Sequence, residues 1–299
     1  MTRTAFRTGA LTMVLLCLCA GAAVAEEVAP EVADAVQVTD RDRMWVNFSR
    51  EAAVLGANHW WAELRGMKLN SVNDPALGLS GYPVTPLAKK KCPNNAPGDA
   101  CIESIDGGRF DLIGAYGLGP AAEFGIDIPF VVQQQIEFTN GSSQENATMG
   151  DLQLYGKFKQ ELAEHWAGAI GLELSAPTGS SSKLTGSGNL GLNPFLSTRY
   201  QSGRIGFGGH LGFLLNTGNQ SDVFNWSLEG VARVTSMLAL RTEINGRLLR
   251  DGGTINDISI WPGLDFDLTD YFVIRPEGLV HASDDAISWG IGIGFAVTM

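Results

Sequence analysis

The chain has 299 residues, with 32 acidic side chains against 21 basic ones and 37 glycines. This acidic balance excludes nucleic acid as the main partner. No apolar run beyond the N-terminal one approaches the ~20 residues of a membrane-spanning helix, so a crossing of a bilayer must be made by strands closed into a barrel.

In chain order, residues 1–25 read as a cleaved secretion signal. Arg3 and Arg7 precede the apolar run Leu11–Val24, and Ala23-Val24-Ala25 supplies the small-residue cleavage site before Glu26. Cys17 and Cys19 follow Leu16 and Leu18 rather than a small residue, so no lipid anchor is expected. Loss of the signal leaves 19 basic against 32 acidic side chains, a net charge of −13. Residues 26–58 read as a periplasmic leader or a plug for the lumen. Trp45 and Phe48 favour the plug, since both are unusual in a purely solvated tail.

From His59 onward the chain repeats segments of about ten residues that alternate apolar with polar or small side chains, the period of a strand. The last segment is typical: Ile287, Trp289, Ile291, Ile293, Phe295, Val297 and Met299 share one face, and Ser288, Gly290, Gly292, Gly294, Ala296 and Thr298 the other. Twelve strands are predicted: His59–Leu69, Arg109–Leu118, Glu123–Gln133, Asp151–Glu161, Trp166–Ala176, Asn189–Tyr200, Ile205–Asn216, Trp226–Ser236, Leu238–Leu249, Ile258–Leu268, Tyr271–His281 and Ile287–Thr298. Tight turns alternate with longer polar loops (Asn70–Gly108, Gln134–Gly150, Pro177–Gly188, Thr217–Asn225, Arg250–Asp257, Ala282–Ala286). That sorting, with an even strand count, predicts an all-β antiparallel transmembrane barrel over residues 59–299 with both termini at the periplasmic rim.

Cys92 and Cys101 fall in the longest loop, where an oxidising compartment makes a disulfide the expected state. A lone cysteine pair without a neighbouring histidine has too few ligands for a metal, and none is expected. Lys89-Lys90-Lys91 beside it reads as a solvated loop or a contact for lipopolysaccharide phosphates.

Parity then divides the barrel into two faces. Phe124, Ile126, Ile128 and Phe130 face lipid with Ile205, Phe207, Leu211 and Phe213. Trp166, Tyr200 and Tyr271 mark the short-turn rim, and Phe110, Trp226 and Trp289 lie toward the other, as two belts of interfacial aromatics. The inward parity collects Asp127, Asp151, Lys157, Lys159, Glu161, Glu173, Arg199, Glu229, Arg233, Arg241, Glu243, Arg247, Asp265, Asp267, Arg275 and Glu277 as candidates to line the lumen. Arg233, Arg241 and Arg247 are expected to face Glu229 and Glu243 across neighbouring strands, as a bracing ladder or a selectivity screen.

Two glycine patterns imitate nucleotide sites, Gly186–Gly191 and Gly117–Ala122. A strand rather than a helix follows each, so neither can present a helix N-terminus to a phosphate. His59 and His165 sit beside tryptophans at strand ends, His281 near Asp284 and Asp285, and His210 points inward. A lipid hydrolase would need a histidine with a serine nucleophile at the lipid-facing rim. No G-x-S-x-G occurs, and no catalytic residue or cofactor is assigned.

The stretch Gly150-Asp151-Leu152-Gln153-Leu154-Tyr155-Gly156-Lys157, followed by Ala176-Pro177-Thr178-Gly179 and the strand pair Asn189–Tyr200 and Ile205–Asn216, resembles the outer-membrane proteins grouped as the meta-pathway phenol-degradation family. The likeness is best over Gly150–Gly218. It implies a bacterial outer-membrane barrel associated with uptake of aromatic or other hydrophobic compounds, and it supplies no catalytic residues. The chain departs from many such barrels by ending in Met299 instead of an aromatic residue. The expected protein is therefore a monomeric outer-membrane channel for a small-molecule solute, in contact with lipid and lipopolysaccharide. A closed structural barrel with partner-binding loops and a lipid hydrolase are the alternatives.

Overall fold

The computed structural model describes residues 52–72, 102–138, 140–180, 182–183, 185–217, 222–250, 254–283 and 286–299. Its elements are β1 Trp60–Val72, β2 Ile102–Gly117, β3 Ala122–Phe138, β4 Ser143–Met149, β5 Leu152–Ala163, β6 Trp166–Ala176, β7 Gly191–Ser202, β8 Ile205–Asn216, β9 Val223–Arg233, β10 Leu238–Arg250, β11 Thr254–Asp267, β12 Phe272–Ser283 and β13 Ala286–Thr298. Each pairs antiparallel with its neighbours. β1 bonds to both β2 and β13, and β2 to β3, so the sheet closes on itself. Trp60 and Met299 exchange backbone bonds at the closure, which places Met299 in the wall at the short-turn rim.

Thirteen segments fill twelve barrel positions because β5 and β4 share one, end to end. β5 pairs with Ala122–Asp127 of β3, and β4 with Phe130–Glu137. The break falls where Pro129 has no N–H to give. Gly150 closes it by donating to the Pro129 carbonyl at 2.7 Å. Beyond the break, Gln133 takes a positive φ of 52° with a register shift, the signature of a bulge. Inward parity accordingly changes from Val131 to Gln134.

Four predicted connections are corrected. Gln134–Gly150 is largely the β3–β4 hairpin. Asn70–Gly108 is shortened by β1 running to Val72 and β2 starting at Ile102. The connections after β10 and β12 shrink to 251–253 and 284–285. Polar, glycine-containing sequence at those positions reflects strand that leaves the lipid, where alternation is no longer demanded. The short-turn rim matches its prediction: two-residue turns join β5 to β6 and β7 to β8, with positive φ at His165 and Gly203.

The packing inverts that of a soluble protein. Leu64, Leu112, Phe124, Phe158, Phe207, Leu211, Leu228, Leu240, Val280 and Ile291 stand exposed on the outside. Glu63, Arg65, Asp111, Arg199, Arg241, Glu243, Arg275 and Glu277 are buried inside. A belt of exposed apolar side chains around a polar interior is what lipid requires, since Arg or Lys on the lipid face costs about 2–4 kcal/mol at the midplane. The chain is thus an antiparallel transmembrane-type β-barrel.

Candidate functional site: a lumen narrowed at both ends

The short-turn end is filled by the chain's own approach to β1. Ala52, Ala53 and Leu55 are buried within the barrel, and Leu55 packs with Trp61, Ile113, Ala115, Tyr155, Val273 and Ala296. Polar groups hold the segment in place. The Leu55 amide donates to Glu123 Oε2 at 2.9 Å, and Lys157 Nζ donates to the Ala53 carbonyl. Glu123 also accepts from the Tyr155 hydroxyl at 2.7 Å and lies 3.5 Å from Lys157. A side chain on Gly117 would collide with the Gly56 and Leu55 carbonyls, so this glycine of a false nucleotide motif serves the close approach of this segment.

The other end is narrowed by the connection from β6 to β7. Asp151, on the inward parity of Gln153 and Tyr155, accepts from the Gly179 amide at 3.0 Å and the Ser187 amide at 2.6 Å. Asn146 of β4 adds a bond to the Lys183 carbonyl. Thr185, Gly186 and Ser187 are buried as a result. Gly186 lies against Asp151 and Gly179 with no room for a side chain, which explains the second false motif. Asp151 therefore latches a loop; its two carboxylate oxygens serve backbone amides rather than an open channel wall.

Between the two ends lies a closed ring of six charges. Arg65 meets Glu63 at 3.2 Å and Glu277 at 3.6 Å. Arg241 meets Glu277 and Asp265, both at 3.3 Å. Arg275 meets Asp265 at 3.4 Å and Glu63 at 3.5 Å. Three guanidinium groups and three carboxylates alternate, so the ring carries no net charge. Glycines make the reach possible: Gly294 lies under Glu63, Gly292 under Glu277 and Gly263 under Arg241. The Arg275 guanidinium also covers the Trp61 ring at 4.7 Å, a cation–π contact. A smaller group joins Arg109 to Asp111 and, at 3.9 Å, to Asp127.

The remaining predicted residues are placed as follows. Glu173, Arg199, Glu229 and Glu243 are buried on the inward parity, and Arg199 donates to Gln201 at 2.9 Å. Arg233 pairs with Asp267 and Lys159 with Glu161, both toward the short-turn rim. Arg247 is half-buried and opposite Asn225. The expected facing of Arg233 and Arg241 to Glu229 and Glu243 is corrected: Glu229 and Glu243 oppose one another, and the arginines reach β11 and β12. Side-chain length exceeds the strand spacing, so a long guanidinium skips its directly opposed neighbour.

Glu63 and Arg65 were not among the predicted lumen residues. The signal was present, because Trp61, Glu63, Arg65 and Met67 alternate inward on the first strand. Of the aromatics, Trp166, Tyr200 and Phe207 form one ring cluster with centroids 4.8–5.5 Å apart. Phe110, Tyr271 and Trp289 are exposed on the outer face, and Trp226 covers Gly246. Cys92, Cys101, the signal and the leader up to Glu51 lie outside the described residues. So does the side chain of His281. Among the described residues, no three His, Cys, Asp or Glu side chains gather as a metal site.

No family model matches the chain, and no curated protein matches it. Solved structures do. The COG4313 outer membrane channel from Pseudomonas putida F1 gives a TM-score of 0.62 at 12% identity, covering 85% of this chain and 100% of that one. The NanC porin gives 0.49 at 9% identity over 78% and 98% of the two chains. The CymD monoaromatic hydrocarbon channel gives 0.44 at 9% identity over 82% and 88%. The first of these likenesses shows the fold: this chain has the barrel architecture of an outer-membrane channel.

Proposed function

We propose that the protein is a bacterial outer-membrane channel that admits small molecules, hydrophobic or aromatic ones among them. It is exported through a cleaved signal, with both termini at the periplasmic rim. The observation that carries the reading is a closed barrel, apolar outside, whose interior is polar and narrowed by two separable devices. A barrel that served only as a scaffold needs neither a latched loop nor a segment threaded into its mouth. The likeness to the outer membrane channel of P. putida and the resemblance to the phenol-degradation family support the same reading.

The electroneutral ring suits neutral cargo. An ion entering would find no net counter-charge and would pay desolvation, whereas an uncharged molecule pays little. His210 faces the lumen rather than lipid, away from where a lipid hydrolase would work. The rival favoured by one observation is a permanently closed barrel, because the plug is packed into an apolar cluster.

Single-channel conductance of the refolded mature protein decides between them. Discrete steps whose ion selectivity shifts when Arg241 is replaced, and also Arg233 or Arg247, establish a water-filled path along these strands. A folded protein that gives neither steps nor uptake of an apolar solute into liposomes removes the channel reading.

A further inference from the structure

Every strand of the sheet except β4 has a neighbour on both sides. The seven residues of β4, Ser143–Met149, pair with β3 alone, and among the described residues no backbone group on the other edge takes part in a hydrogen bond. The latched loop meets β4 from the inward side, where the Asn146 amide donates to the Lys183 carbonyl at 3.3 Å. Alternate residues of an edge strand direct both N–H and C=O away from the sheet, which makes the edge a template for a further strand. Proteins usually blunt such an edge with lysine, proline or an inward-pointing charge, and Ser143–Met149 has none of the three.

The outward face beside this edge is acidic. Beyond the apolar row Phe110–Phe130–Met149, the register places Asp106, Gln135 and Glu145 side by side on β2, β3 and β4. Glu137 lies in the next outward row, between Ser104 and Ser143. Glu137 and Glu145 are exposed, and Glu137 accepts from neutral donors, Ser104 Oγ at 3.1 Å and Gln135 Nε2 at 3.4 Å. One oxygen of Asp106 is shielded from solvent and has no partner. Among the described residues none of the three carboxylates has an ion pair, and Lys68 stands a row lower, opposite Gly108.

We propose that β4 is a docking edge for an extended, basic segment of a partner polypeptide, which adds to the wall as a further strand outside the lipid. Backbone hydrogen bonds along β4 supply the attachment, and lysine or arginine at alternate positions supplies the selectivity. A strand added there lies roughly 5 Å from β4, so its basic side chains stand beside Glu145 and reach diagonally toward Glu137. Asp106 adds to the field from two strands further in. Asp106 and Glu145 are two strand spacings apart, roughly 10 Å, too far to converge on one metal ion. A row of separated basic side chains matches that spread. The site requires the β3–β4 hairpin to lie outside the lipid and is independent of passage through the lumen.

The test is calorimetric titration of the folded, full-length mature protein in detergent with a short, end-blocked peptide of alternating lysine and threonine. The expected result is saturable binding, with the infrared amide band of the carbonyl-labelled peptide moving to that of a β-strand. The same peptide with its backbone nitrogens methylated keeps its charge but cannot donate, and binds roughly tenfold more weakly. The Glu137→Gln/Glu145→Gln variant, altered at two exposed side chains and still a heat-modifiable barrel, also binds the unmethylated peptide roughly tenfold more weakly. Equal affinity for the two peptides overturns the docking edge and leaves a diffuse attraction between charges. Unchanged affinity in the double-glutamine variant overturns the acidic selectivity. No saturable binding overturns the proposal outright. If the peptide does not bind while calcium-dependent retention of lipopolysaccharide is lost in the double variant, the acidic face belongs to lipid and the proposal fails.

Discussion

The two ends of the lumen are narrowed by the same chemical device put to different use. At the short-turn rim a carboxylate, Glu123, accepts a backbone amide of a segment that also inserts Leu55 into an apolar cluster. At the long-loop rim a carboxylate, Asp151, accepts two amides of a loop whose buried residues, among those described, are the small Thr185, Gly186 and Ser187. Hydrogen bonds of this kind are modest net contributors, whereas burial of a leucine adds about 1.5–3 kcal/mol. The plug is therefore the firmer closure, and the latched loop the one that opens at smaller cost.

That contrast can be broken most directly by removing the plug. A mature form that begins at Gly56 is expected to raise single-channel conductance severalfold, while Asp151→Ala raises it far less. Equal effects in planar bilayers would mean that the loop, not the plug, limits passage. The next largest effect is on stability. Glu123→Ala leaves Lys157 buried without its carboxylate and frees the Leu55 amide, a loss of about 3–5 kcal/mol. It is read as a lower unfolding midpoint in denaturant, with faster proteolysis near residue 55.

Asp151→Ala strands two amides that the loop can turn toward water, so its cost is smaller, about 1–3 kcal/mol. The loop should then gain protease sensitivity between Pro177 and Leu190 with the barrel intact. Smallest of all is Lys159→Ala. Its partner Glu161 is half exposed, and a solvated pair of this kind contributes under about 1 kcal/mol. A drop as large as that of Glu123→Ala would show that the rim, rather than the buried carboxylate, holds the plugged end together.

Much of this architecture was legible before any fold was known. Parity put Lys157, Arg241, Arg275 and Glu277 inside and Phe207 and Leu211 outside, because lipid punishes a charge on the wrong face of every strand. Turn chemistry located the short-turn rim for the same reason that Gly203 and His165 can take positive φ. The long-loop rim was less legible: β3 and β4 leave the membrane as a hairpin, where neither face must be apolar and alternation fades.

The sequence by itself determined strand period, face and the polar interior, all of which follow from local alternation under a uniform external solvent. Only the tertiary structure decided which charges meet. Glu63 and Arg275 are 212 positions apart, and closure of β1 on β13 is what brings them across Gly294 into one ring. The same closure set Leu55 against Trp61, Val273 and Ala296. Register across strands is a property of the closed sheet, and no single strand carries it.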